Sequence, residues 1–309
     1  MHDQDQGNRL HQLTVSKYLF RLRAETSLRL PPYKGSALHG AFGHALKRIS
    51  PFYYEELCAS GNDGAAPRPY VLLPPLDSRE HYPAGHPFSC ELTLFGRAEQ
   101  YFPVCHAALE FLGREMGLGL NRGKFTVEGV DRACPPGKPS MANSAANSAM
   151  DSAALSCLDI VQFSPIMIRN DALRIYLPTR LRLKSDGHLL SEAPEFHLFF
   201  ARLLGRINTL ASLYGGGKMV EPELREQLLT LAQERIRLDE HTTDACWQDL
   251  PRFSGRQKQW MKFGGLLGSV TWQGAAEDFQ PFLPYLAIGE WIHVGGKSSF
   301  GLGKYVVER

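Results

Sequence analysis

No two cysteines of this sequence form a CxxC pair, and its six thiols, at positions 58, 90, 105, 134, 157 and 246, are widely scattered. Without a secretory context to oxidise them, they read as reduced and mostly buried. Zinc spacing is missing as well: His39 and His44 are five apart, no HExxH occurs, and no paired carboxylates suit a two-metal nuclease. The expectation is a protein with neither metal nor cofactor. Apolar runs long enough to cross a bilayer are absent. The opening MHDQDQGNRLHQ has no basic region followed by an apolar core, so neither signal peptide nor anchor is expected, and the location is read as cytoplasmic with no membrane partner. One-sided charge is lacking too. A formal net charge of +2 carries no argument for a polyanionic partner, so any such surface must come from local clustering.

What is present is a globular composition, 43% hydrophobic and 21% charged over 309 residues, enough for one large core or two smaller ones. From Lys17 to Ala24 the side chains alternate, with Tyr18, Phe20, Leu22 and Ala24 on one side and Lys17, Arg21 and Arg23 on the other, as in a half-buried strand. After Pro31-Pro32, residues 36 to 49 place Leu38, Phe42, Ala45 and Ile49 at helical spacing. Tyr70 to Leu73 and Phe88 to Arg97 read as strands, Tyr101 to Met116 as a helix, and Lys124 to Val130 as a strand. This β-α-β-β-α-β order is the ferredoxin-like arrangement that RNA-recognition domains share.

Residues 134 to 156, CPPGKPSMANSAANSAMDSAALS, have no hydrophobic period and too little apolar surface to offset their ordering entropy, which predicts a flexible linker. Beyond it, Leu158 to Ile168 reads as a strand, Glu195 to Leu213 as a long helix closed by Gly215-Gly216-Gly217, and 222 to 238 as a second helix. Gly264 to Trp272 as a strand, Phe279 to Ile288 as a helix and Leu302 to Val307 as a last strand complete the plan. The expected fold is therefore α+β, two tandem ferredoxin-like (RRM-like) domains at 1–133 and 157–309 joined by the linker 134–156.

The end of the chain, WIHVGGKSSFGLGKYVVER, carries the clearest motif. Gly295, Gly296, Gly301 and Gly303 bracket Lys297, Ser298 and Ser299. Glycines free the backbone for positive φ and close approach, and amides, hydroxyls and a lysine together suit phosphate oxygens. Two mononucleotide readings fail on position. A Walker loop needs glycine where Trp291 stands, and a Rossmann loop must open a helix, for which six residues after Gly303 leave no room.

The segment GGKSSFGLGKY resembles the C-terminal signature of the RAMP proteins of CRISPR systems, and is most similar to that of the repeat-processing endoribonucleases. The blocks RFSGRQKQWMKFGGLLGSVTWQG, from Arg252, and LPPYKGSALHGAFGHALKRI, from Leu30, resemble that family too. The resemblance implies a catalytic histidine on or just beyond the first helix, and a repeat RNA, as stem-loop or single strand, gripped by the glycine loop and the basic block. LHG stands at Leu38 to Gly40 where LRG is usual in the family.

On the helix after Tyr33, residues turn by about 100° each, which puts Lys47 and Arg48 beside His44 on the polar side and His39 at the edge of the apolar face. A histidine and cations fit metal-free RNA cleavage: the 2′-hydroxyl loses a proton and attacks the adjacent phosphate, and an acid protonates the departing 5′-oxygen. Products are a 2′,3′-cyclic phosphate and a 5′-hydroxyl. His44 or His39 is base or acid, with Tyr33, Lys34 and Lys47 in support. Arg252, Arg256 and Lys258 interleave with Phe253 and Trp260, a composition that neutralises phosphates and stacks bases. The expected RNA contacts are these three with Lys34, Arg48, Gly295, Gly296, Lys297, Ser298, Ser299, Gly301 and Gly303. The alternative is a non-catalytic RAMP subunit that binds RNA within a CRISPR effector complex.

Overall fold

The computed structural model describes residues 9–59, 66–138, 154–254 and 259–309. Contacts divide it into two modules. The first comprises Leu13–Ser156 together with Ser299–Gly301, and the second comprises Cys157–Ser298 and Leu302–Arg309 with residues 9–12.

The first module runs β1 (Thr14–Ala24), α1 (Gly35–Ile49), β2 (Tyr70–Leu73), β3 (Pro87–Phe95), α2 (Phe102–Phe111) and β4 (Phe125–Arg132). Its antiparallel sheet has the order β2-β3-β1-β4, the split arrangement in which the first strand lies between the third and the fourth. Alternation decides which face of β1 is buried: Tyr18, Phe20, Leu22 and Ala24 enter the core, while Arg21 and Arg23 pair on the outside with Asp131 and Glu128 of β4. Helix α1 returns Leu38, Phe42, Ala45 and Leu46 to the same core, and α2 returns Cys105, Ala108 and Leu109. Each fully buried large side chain contributes about 1.5–3 kcal/mol. At the end of the segment read as a linker, Leu155–Ser156 (β5) pairs with Thr14 and Val15 of β1.

The second module repeats the plan around β6 (Ala172–Leu181). Before it comes α3 (Cys157–Phe163), and after it α4 (Phe196–Tyr214), α5 (Pro222–Arg235), β7 (Arg237–Leu238), β8 (Cys246–Gln248), β9 (Pro251–Ser254), β10 (Gln259–Lys262), β11 (Gly265–Gln273), α6 (Leu283–Ile292) and β12 (Val306–Val307). The sheet order β7-β11-β6-β12 matches that of the first module, with β8 added beside β11 and β9 and β10 paired with each other. The protein is thus α+β, with two tandem ferredoxin-like units.

Two sequence-based expectations need correction here. Leu158 to Ile168, read as a strand, begins as the helix α3, with Cys157 and Ile160 buried one turn apart. The strand that centres the sheet is β6 instead, where Leu173, Ile175, Leu177 and Leu181 alternate inward. Of the expected strand Leu302 to Val307, only Val306 and Val307 pair, with Tyr176 and Ile175. No helix among the described residues is long and apolar enough to cross a membrane.

Candidate active site and nucleic-acid interface

The first module gathers its chemistry at the start of α1. His39 lies next to Leu38 on the buried side of that helix, and only 7% of it reaches solvent. Its ring stacks on Phe300, with centroids 3.8 Å apart and planes 19° from parallel, and lies near Tyr70 at 5.8 Å. Its Nε2 is 2.7 Å from Nη1 of Arg68 and 3.0 Å from the hydroxyl of Tyr70. A guanidinium has only donors, so Nε2 is the acceptor in that contact and the ring takes the tautomer that leaves Nε2 unprotonated.

Two neighbours hold Arg68 and Tyr70 in place. Arg68 donates through Nε to the carbonyl of Cys58 at 3.0 Å, and its Nη1 reaches the hydroxyl of Ser299 at 3.5 Å. The Tyr70 hydroxyl also meets the Cys58 thiol at 3.5 Å. Burial holds the Tyr70 phenol well above its ordinary pKa, so it stays a protonated donor. Burial likewise raises the Cys58 thiol, against the opposing pull of Tyr70 and Arg68. A ring nitrogen, a guanidinium and two hydroxyls therefore converge within hydrogen-bond reach, a set able to move protons and hold an oxyanion.

The shelf under His39 comes from the far end of the sequence. Tyr33 donates its hydroxyl to the carbonyl of Phe300 at 2.7 Å. A Cβ at position 35 would strike both that carbonyl and the Tyr33 ring, so Gly35, at the first turn of α1, is what lets the two segments close on each other. Gly301, with φ of +84°, packs on Pro74 and the backbone of Leu72 and Leu73. Tyr33, His39, Ser299 and Gly301 are thus brought together, with Tyr33 engaged by a backbone carbonyl rather than aimed at solvent.

His44, Lys47 and Arg48 lie apart from this cluster, exposed along α1, with the Lys47 ammonium 5.3 Å from the centre of the Tyr54 ring. Lys34, expected on the RNA surface, is 1% exposed. Its ammonium donates to the carbonyls of Pro32 and Asp77, at 3.3 and 2.7 Å, and pairs with the Asp77 carboxylate at 3.5 Å, so it is a buried strut of the loop before α1.

In the second module, Gly295 and Gly303 hold φ of +83° and +72°. Their places are set by close approach: a Cβ would strike the Arg182 carbonyl at 295 and the Val294 carbonyl at 303. The amides of Gly296 and Gly303 donate to the carbonyls of Arg182 and Arg180, at 2.8 and 3.0 Å, so these two are committed to the fold and not freed for phosphate as the motif suggested. Lys297 is exposed with φ of +64°, and Ser298 is buried. Arg252 falls on β9, while Arg256 and Lys258 lie outside the described residues. No group of three or more metal-ligating side chains occurs among the described residues.

The model of the CRISPR-associated endoribonuclease Cas6 family matches residues 173–305. The match is one of similarity over less than half of the chain. A second family model, described as an N-terminal domain, matches residues 13–62 and 59–152. Among solved structures, a Cas6 product complex is 17% identical, with a TM-score of 0.60 over 96% of this chain and 99% of its own. Thermus thermophilus Cas6 is 15% identical, with a TM-score of 0.56 over 96% and 99%. A partial Cas6-RT-Cas1–Cas2 complex is 14% identical, with a TM-score of 0.64 over 96% of this chain and 46% of the other. At such identities the likeness is one of fold. No curated protein sequence matches the chain. The segment matched by Cas6 takes in the glycine loop, whereas His39, Arg68 and Tyr70 fall within the stretch matched by the N-terminal model.

Sequence reasoning singled out His39 and missed Arg68, Tyr70 and Phe300. Phe300 stood inside the quoted motif, and its aromatic character in a loop of glycines and serines was the available signal. Arg68, between Pro67 and Pro69, carried none.

Proposed function

We propose that the protein is an endoribonuclease that cleaves CRISPR repeat RNA without a metal, with His39 as its proton-transfer group. The observation that carries this reading is the convergence of Arg68 and Tyr70 on Nε2 of His39, at 2.7 and 3.0 Å. The match of residues 173–305 to the endoribonuclease family supports it, as does the likeness of the whole fold to a Cas6 product complex.

In this mechanism the repeat phosphate draws Arg68 to itself, since an anionic oxygen is a stronger acceptor for a guanidinium than a neutral imidazole nitrogen. With the Tyr70 hydroxyl turned to its other neighbour, the Cys58 thiol, Nε2 is then released to take the proton of the ribose 2′-hydroxyl. The 2′-oxygen attacks phosphorus, the bond from phosphorus to the 5′-oxygen breaks, and an acid returns a proton to that oxygen. A 2′,3′-cyclic phosphate and a 5′-hydroxyl result. Arg68 stabilises the charge that gathers on the phosphate oxygens. Lys297, Lys47, Arg48 and the basic block from Arg252 to Lys258 are assigned to the RNA backbone.

A second reading, an RNA-binding subunit of an effector complex that does not cut, is favoured by one fact: His39 is buried and its Nε2 is already engaged. One assay separates the two. Labelled repeat RNA is incubated in EDTA with wild type, His39→Ala and His44→Ala. The expected result is cutting by wild type, a loss of about 10²-fold or more in His39→Ala, and a change under about threefold in His44→Ala. Binding without cutting by wild type would establish the second reading. Loss in His44→Ala alone would move the site to the exposed face of α1.

A further inference from the structure

The geometry points to Phe300 as a positioning residue for His39, held in place by Tyr33. The inference rests on the assignment of His39 just made and adds a role for the C-terminal loop that RNA gripping does not cover.

Three observations carry it. First, the Phe300 ring lies nearly parallel to the imidazole at 3.8 Å, against 5.8 Å for the Tyr70 ring. Stacked at that distance, it leaves the imidazole free to rotate only by losing the contact. Second, the backbone of Phe300 is itself fixed, because its carbonyl accepts from the Tyr33 hydroxyl at 2.7 Å and sits where Gly35 offers no Cβ. Third, the residues on either side are anchored on the same module: Ser299 through Arg68 and Gly301 against Pro74 and Leu72. The ring nitrogen that faces Arg68 and Tyr70 does so because a tripeptide from the end of the chain forms the floor beneath it.

The assignment changes what Tyr33 does. Its hydroxyl is spent on a carbonyl, so it acts through Phe300 and does not touch the reacting atoms. Phe300 in turn exchanges no proton; it sets the plane in which His39 presents Nε2. Misplacement of a catalytic group by about 1 Å costs up to about 10²-fold in rate while leaving substrate affinity nearly intact.

The test uses the full chain in five forms: wild type, Phe300→Leu, Phe300→Tyr, Tyr33→Phe and, for signal assignment, His39→Ala. Single-turnover cleavage and RNA affinity are measured separately on the labelled repeat, and the imidazole signals of His39 are read from histidine labelled with nitrogen-15 and identified by their loss in His39→Ala. In Phe300→Leu, the cleavage rate is expected to fall about 10- to 10²-fold with affinity within about threefold, and the ring protons of His39 to move downfield as the shielding face is removed. Phe300→Tyr keeps the face and is expected to restore the rate to within about threefold. Tyr33→Phe is expected to fall between them.

Phe300→Leu cleaving as fast as wild type overturns the inference, and so does loss of affinity in step with rate. Unmoved His39 signals in Phe300→Leu overturn it whatever the activity. If wild type cuts no RNA, the proposed function fails, while the spectra still decide whether Phe300 orients the imidazole.

Discussion

Arg206 donates twice to the carbonyl of Ile292, from Nε at 3.0 Å and from Nη2 at 2.8 Å. Ile292 ends α6, and the next residue, His293, turns to φ of +63° with its Nδ1 3.2 Å from the Leu302 carbonyl. A buried cation thus caps the negative end of the helix that leads into the glycine loop. Burial lowers the guanidinium pKa to about 10, which leaves it charged at neutral pH. Arg206→Met is expected to lower unfolding free energy by about 2–3 kcal/mol, because the carbonyl loses a charged donor inside the fold. Urea denaturation of the two proteins measures it.

Gly35 and Gly40 share α1 and make opposite predictions. A Cβ at 35 collides with the Phe300 carbonyl and the Tyr33 ring, whereas at 40 nothing lies within 4 Å. Gly35→Ala is therefore expected to destabilise by about 1–3 kcal/mol. Gly40→Ala is expected to stabilise by up to about 1 kcal/mol through helix propensity alone. Thermal melts of the pair check both signs.

The Lys34–Asp77 pair predicts a pH dependence. Burial holds the Lys34 ammonium below the ordinary lysine value despite the raising effect of Asp77. Burial would raise Asp77, yet the Tyr82 hydroxyl, the Arg79 amide and Lys34 together hold its carboxyl below the usual value. At Asp77 the three partners together outweigh desolvation, whereas at Lys34 the attraction of Asp77 does not. A depressed carboxyl stabilises the fold above its unfolded pKa and loses that contribution as pH falls through the folded one. Half of the Asp77 side chain is in water, so the effect is screened. Asp77→Asn is expected to cost about 1 kcal/mol at pH 7, with the difference from wild type fading below about pH 4. Urea titrations at several pH values follow it. Lys34→Met is expected to bind repeat RNA as wild type does, measured by filter binding.

Arg68 is expected to resist conservative replacement. A lysine supplies charge but not the planar fork that spans His39, the Cys58 carbonyl and Ser299. Both Arg68→Lys and Arg68→Met are expected to lower single-turnover cleavage about 10²-fold or more, and lysine to retain more RNA affinity than methionine.

The elements of the first module were legible because each obeyed one period: β1 alternates from Tyr18 to Ala24, and α1 repeats Leu38, Phe42 and Ala45. The second module was harder. A proline inside the alternating run, Pro178, argues against a central strand and so hides β6, and the short apolar run of α3 fits either period. At the candidate site, the helical wheel placed His39 at the apolar edge, where it is found. It could not place Arg68, which stands 29 positions from His39 between two prolines, where the sequence has no periodicity. Lys34 was misread because a lysine after two prolines looks solvated, and only the fold supplies Asp77 to bury it.

Because Ser299–Gly301 packs as part of Leu13–Ser156, a polypeptide ending at Ser156 is not a self-sufficient half of this molecule. It would leave the imidazole of His39 without its aromatic neighbour and the notch at Gly35 unfilled. Substitutions at 33, 35 and 300 are therefore linked across nearly the full length of the gene, and drift at one restricts what the other two can become.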